Sequence, residues 1–162
     1  MMPFAGHAGL SLVIAGLFNL NPLLVLIGGL IPDLDSLFVF FSPGFTKYHR
    51  KITHSLLFLN LILVSAVFFP IMIPIVIGLS AHYIVDLDHW GIPLFYPFSE
   101  KRYSVMKVTN KKAYDKGVDC VSDWFKKRGV GFWLEWILLG LGITLTWSYW
   151  VNLLNYLLVL FS

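Results

Sequence analysis

All twelve Lys and Arg residues of this 162-residue chain fall in two windows, three between Lys47 and Lys51 and nine between Lys101 and Arg128, and long apolar stretches fill the rest. A soluble domain carries about 25% charged residues, spread over its surface. Here the share is 13%, against 57% hydrophobic residues and a mean hydropathy of +0.75. Lipid is the solvent such a sequence calls for. Six Trp residues strengthen that reading, because amphipathic rings are favoured at the headgroup level of a bilayer. By the positive-inside tendency, both basic windows face the cytoplasm.

The expected architecture is one all-α, polytopic membrane domain over residues 1–162. Five transmembrane segments are expected at about 5–20, 22–41, 55–69, 72–90 and 132–161, which places the N-terminus in the cytoplasm. Asn19-Leu20-Asn21-Pro22 supplies a turn after the first span. Gly28-Gly29 and Pro32 should interrupt the second, since Pro lacks a backbone donor and restricts its predecessor. The stretch 55–81 would measure roughly 40 Å as one helix, beyond a bilayer core of about 30 Å. A hairpin turning at Pro70–Pro74 resolves this and brings His54 and His82 to one side. With that hairpin the count is five spans, and without it four. The last segment, 132–161, has no Pro and is expected as one long tilted helix.

Residues 99–130 form the one extended polar segment. Within it Tyr114, Val118, Val121 and Phe125 recur at helical spacing, flanked by lysines and by Trp124. That pattern predicts a cytoplasmic amphipathic helix, lying in an anionic lipid interface or on the protein's own cytoplasmic ends. The N-terminus carries no Lys or Arg, so no cleaved leader is expected. Cys120 is the single cysteine, which excludes an intrachain disulfide and any CxxC zinc signature. Nothing resembles a nucleic-acid-binding motif.

Ionisable residues inside apolar spans are costly and tend to mark function. Here they gather at one level: His7 near the start of the first span, Asp33 and Asp35 at the break in the second, His49 and His54 before the third, and His82, Asp86 and His89 at the end of the fourth. His82 and Asp86 are four apart, one above the other on a helix face, with His89 on the same face. Asp88 points elsewhere. Asp33 and Asp35 would diverge on a helix but share one side of an extended backbone, which Pro32 favours. Three aspartates together in a low dielectric would repel one another, and a divalent cation relieves that. Imidazole with carboxylate suits zinc, manganese or iron, and magnesium fits an oxygen-rich position. The expected metal ligands are therefore His7, Asp33, Asp35, His54, His82 and Asp86. A hydrogen-bonded proton relay among the same groups is the competing reading. For Thr53 and Ser55, capping the helix that follows is favoured over catalysis.

An early His, then Ile31-Pro32-Asp33-Leu34-Asp35, His49-Arg50-x-x-Thr53-His54-Ser55, His82-x-x-x-Asp86 and Gly91-Ile92-Pro93-Leu94-x-Tyr96-Pro97-Phe98-Ser99 together resemble the YdjM-like membrane proteins over about residues 5–105. That family is described as LexA-binding, inner-membrane-associated, metal-dependent hydrolases. The resemblance implies an inner-membrane location and a metal-dependent hydrolase, with Asp33, Asp35, His54, His82 and Asp86 at the family's polar positions. Arg50 could pair with Asp35 or fork a phosphate, and the second role directs the hydrolase reading to a phosphoester or lipid-linked substrate at the cytoplasmic face. Asp35 or His49 would be the general base. Two other functions fit the same residues: an ion or proton transporter, and a non-enzymatic anchor binding a partner or anionic lipid through the basic segment. Gly140, Gly142 and Thr144 offer a close helix contact for a homo-oligomer.

Overall fold

The computed structural model describes residues 4–35, 51–87, 91–105 and 129–161. Six α-helices account for most of them: α1 (Phe4–Leu17), α2 (Pro22–Leu30), α3 (Leu56–Phe68), α4 (Ile73–Asp86), α5 (Val130–Leu145) and α6 (Trp147–Leu160). Short 3₁₀ turns lie at 31–35, Ile52–His54 and Pro70–Met72. Among the described residues there is no strand, only an isolated bridge between Ile92 and Tyr103. The fold of the described residues is therefore all-α, as the sequence predicts. His49, Arg50, His89 and the amphipathic stretch 114–125 lie outside the described residues.

Local chemistry sets the helix ends. Asn21 caps α2, its Oδ1 accepting from the Leu24 N–H at 3.2 Å, and Pro22 occupies the first helical position, where its missing N–H does no harm. The sequence predicts a break at Gly28-Gly29, but α2 runs through both glycines to Leu30. The backbone of 31–35 is also not extended; it winds as a 3₁₀ turn, which the fixed φ of Pro32 tolerates at its start. Asp33 and Asp35 consequently diverge instead of sharing one side.

Helices α3 and α4 form the expected hairpin. Ser55 caps α3, accepting from Phe58 N–H at 3.3 Å, and the chain reverses through Pro70–Met72. At 13 and 14 residues the two helices are each about 20 Å long, short of a bilayer core of about 30 Å. No single helix among the described residues is long and apolar enough to cross a membrane. The last segment differs from its expected single helix: α5 and α6 meet at a 61° bend. Thr146 sits at the bend, its hydroxyl donating to the Gly142 carbonyl at 2.8 Å and accepting from the Trp150 indole at 2.8 Å. A hydroxyl bonded back to the i−4 carbonyl is a recognised cause of helix bending.

Two close crossings hold the bundle together. α2 and α4 meet backbone to backbone, for a Cβ on Gly28 would run into the Ile75 carbonyl and one on Gly78 into that of Val25. α1 lies alongside α5, where Gly142 fits against Leu12, Gly9 and Val13. Gly142 is thus used inside the chain, whereas Gly140 faces open space and Thr144 bonds its carbonyl at 2.9 Å. On the outside, Val67, Phe68, Phe69, Ile71, Val159 and Phe161 are all exposed. An apolar surface of that extent marks contact with lipid or another protein.

Gly28→Ala and Gly78→Ala are each expected to cost about 1–3 kcal/mol, the usual penalty for overfilling a packed contact. Gly140→Ala should stay within about 0.5 kcal/mol of wild type. Thermal or denaturant unfolding in detergent measures all three.

Candidate metal centre

Four elements deliver one or two polar side chains each to the same place. His7 comes from α1, Asp33 from the turn after α2, His54 from the 3₁₀ turn before α3, and His82 and Asp86 from the last turns of α4. All five are buried: His54 and Asp86 are 0% exposed, His7 and His82 1%, and Asp33 7%.

Second partners fix the imidazoles. His82 Nδ1 lies 2.7 Å from the Gly29 carbonyl, a pure acceptor, so Nδ1 carries a hydrogen and, in the neutral ring, Nε2 keeps the lone pair. Thr53 donates its hydroxyl hydrogen to Asp35 Oδ2 at 2.9 Å and lies 3.1 Å from His54 Nδ1, so the hydroxyl oxygen accepts from that nitrogen. His54 therefore also directs an Nε2 lone pair at the centre. Carboxylate-to-histidine support of this kind orients ligating imidazoles in metal sites.

The inward atoms converge. His54 Nε2 and His82 Nε2 are 3.2 Å apart, and Asp86 Oδ2 lies 3.2 Å from the first and 3.3 Å from the second. Asp33 Oδ1 is 3.8 Å from each imidazole nitrogen. With both rings neutral and protonated at Nδ1, none of these atoms carries a hydrogen to offer the others. Two lone pairs and carboxylate oxygens at such range repel unless a metal ion or a proton stands among them. Four ligands about 2.0–2.2 Å from one tetrahedral ion lie about 3.3–3.6 Å from one another. The observed separations bracket that spacing, so Asp33, His54, His82 and Asp86 could together hold one metal ion.

Of the residues predicted as ligands, those four are brought together. Asp35 is placed elsewhere, on the Nδ1 side of His54 at 3.8 Å, because the 3₁₀ turn points it away from Asp33. His7 lies beside the group, stacked on His82 with ring centroids 3.9 Å apart. Ser55 is a cap, as expected; Thr53 is not, being committed to Asp35 and His54.

Two residues outside the predicted set stand out in the structure. Tyr83 is one: its hydroxyl donates to the carbonyls of Thr53 at 2.7 Å and Ser55 at 2.9 Å, tying the turn that bears His54 onto α4. Its position beside His82 was the available signal. Glu135 is the other, the one acid in the last apolar segment, 2% exposed on α5 with no hydrogen-bond partner for Oε2 among the described residues. It is not part of the four-residue group.

The segment 91–105 closes the same end of α4. Ile92 is fully buried against Leu79 and Tyr83, and the Leu94 carbonyl accepts from the first N–H of α3 at 2.8 Å. Gly91 takes φ +62 where the Tyr103 carbonyl leaves no room for a Cβ. Lys51 pairs with Glu100 at 2.8 Å, and that hydrogen bond holds the ammonium above its ordinary pKa and the carboxyl below its own. Being exposed, the pair fastens the segment only weakly.

Thr53→Val keeps the shape of the side chain but removes the acceptor for His54 Nδ1. Divalent-metal affinity should fall by about 10–100-fold, the usual effect of losing a supporting partner. Competition with a chromophoric chelator reads it, with unchanged unfolding as the control.

A family model described as YdjM inner membrane protein matches residues 1–153. No curated protein and no solved structure matches the chain.

Proposed function

The chain belongs to the YdjM inner membrane protein family, and we propose that it is a metal-dependent hydrolase of phosphoester or lipid-linked phosphate at the cytoplasmic face of that membrane. The observation that carries the reading is the convergence of His54 Nε2, His82 Nε2, Asp86 Oδ2 and Asp33 Oδ1 on one buried point. Zinc, manganese, iron or magnesium would be held by those four residues. Such an ion supplies Lewis-acid polarisation of a phosphoryl oxygen and a more acidic water.

The chain's own residues do the remaining work. Gly29 and the Thr53–Asp35 pair hold the two imidazoles in the tautomer that turns Nε2 inward. Asp35, engaged behind His54, is a positioning residue in this account, which leaves His49 as the base named by the sequence. Arg50, next to it in the chain, would orient the phosphate through paired N–H donors.

The charge distribution supports the cytoplasmic face, since all Lys and Arg residues fall in two windows. With five passes and the α3–α4 hairpin entering from the cytoplasmic side, both windows and the cluster would lie on one face, where phosphate headgroups lie. The basic segment 99–130 would rest on anionic lipid. Cys120, the single cysteine, lies in that segment. A membrane-impermeant maleimide should label it in inside-out vesicles and leave it untouched in intact spheroplasts; the opposite pattern would reverse the orientation.

A proton shared among the same atoms would also relieve the repulsion, and would make the protein a relay or ion transporter. Activity assays separate the two. Phosphate release from lipid and soluble phosphoesters should stop with chelator and return with added divalent metal. His54→Ala and Asp86→Ala should each lower it about a hundredfold or more, in keeping with the several kcal/mol an ion contributes. Proton flux in liposomes that survives chelator, with no phosphate release, would replace the hydrolase reading with the relay.

A further inference from the structure

We propose that the cluster takes two divalent ions, the second bound by His7 with the outer oxygens of Asp33 and Asp86. This rests on the metal reading above and extends it from one ion to a bridged pair.

The two carboxylates are shared in a regular way. Asp86 directs Oδ2 to His54 and His82 and directs Oδ1 to His7 Nε2, 3.5 Å away. Asp33 does the same with the opposite labels, Oδ1 facing His54 and His82 at 3.8 Å and Oδ2 facing His7 Nε2 at 3.9 Å. Each carboxylate thus has one oxygen for the four-residue group and one for His7, which is the disposition of a bridging ligand.

His7 itself points to a ligand. It is 1% exposed, and neither ring nitrogen has a hydrogen-bond partner among the described residues. Two unsatisfied buried polar atoms cost about 1–3 kcal/mol each. Its separations of 3.5 and 3.9 Å from the two carboxylate oxygens are too long for hydrogen bonds but close to the ligand–ligand spacing around one ion. The stack adds an independent distance. His7 and His82 lie face to face, 3.9 Å between centroids and 21° from parallel. Both offer Nε2 to opposite oxygens of the same two carboxylates. Ions lying in the planes of two rings so spaced would be separated by about that distance. Paired ions in hydrolytic sites stand about 3.5–4 Å apart.

Charge sets the order of filling. One divalent ion neutralises Asp33 and Asp86, whereas two leave an excess of positive charge that an anion must balance. His7 supplies one nitrogen to the second position where His54 and His82 supply two to the first. The second ion is therefore the weaker, and a phosphate dianion strengthens it.

Manganese titration of the full chain in detergent, with and without inorganic phosphate, tests this. Wild type should bind about two ions per chain by elemental analysis and give the spin-coupled electron paramagnetic resonance signal of a close pair, the second ion tightening at least tenfold with phosphate. His7→Gln should bind about one and lose the coupling, as should His7→Phe, which keeps the ring stacked on His82. One uncoupled ion in wild type, unchanged in both variants, would overturn the second position and leave the single-ion reading standing. Two ions retained in both variants would remove His7 from the site. No ion in wild type would overturn both.

Discussion

Two imidazole lone pairs and two carboxylate oxygens occupy one small volume at the ends of the helices, and almost everything else in the structure serves to keep them there. In water such groups would be separated by solvent. Here they are buried to 7% exposure or less, on a chain whose outer surface is apolar, so solvent cannot relieve them. The tautomers sharpen the conflict, since the Gly29 carbonyl and the Thr53 hydroxyl claim the one ring hydrogen that each neutral imidazole carries. A divalent ion turns this repulsion into attraction at all four atoms at once.

The fold provides that convergence with very short helices. α1 and α2 lie against one another where Ser11 presses on Gly29, so His7 reaches the level of the Gly29 carbonyl. α4 crosses α2 at Gly28 and Gly78, close enough for His82 Nδ1 to reach that same carbonyl. Small residues replace bulk at these contacts because backbones must approach closely where lipid gives no hydrophobic drive for association. Tyr83 then pins the turn carrying His54 to α4, and the chain through Ile92 and Leu94 packs over both. A single carbonyl, that of Gly29, thereby belongs at once to helix packing and to the geometry of the site.

Much of this was legible in the amino-acid order. The apolar stretches announced lipid, Pro70 and Pro74 announced the hairpin, and the i, i+4 spacing of His82 and Asp86 placed both on one face of α4. What could not be seen was how the chain leaves α2. Gly28-Gly29 reads as a break in one dimension, but in three it is a contact surface whose missing side chains admit α4 and Ser11. Pro32 suits a 3₁₀ turn as well as an extended strand, and that choice alone decides whether Asp35 joins Asp33 or stands behind His54. The bend at Thr146 was hidden for a similar reason: no Pro or Gly marks it, only a hydroxyl bonding back along the helix. Glu135 carries a signal of its own in the sequence, a lone acid in an apolar span, but it has no second polar residue three or four positions away to give it a role.

The same residues are asked to be stable and reactive, and the division of labour between them explains how. Gly29, Thr53, Asp35 and Tyr83 hold position, while His54, His82, Asp33 and Asp86 present lone pairs inward. X-ray absorption on protein purified without chelator measures that arrangement most directly. A bound divalent ion is expected, with nitrogen and oxygen neighbours at about 2.0–2.2 Å and the outer-shell scattering of imidazole. Protein that is folded and metal-free, or an ion surrounded by oxygen alone with no imidazole scattering, would contradict it.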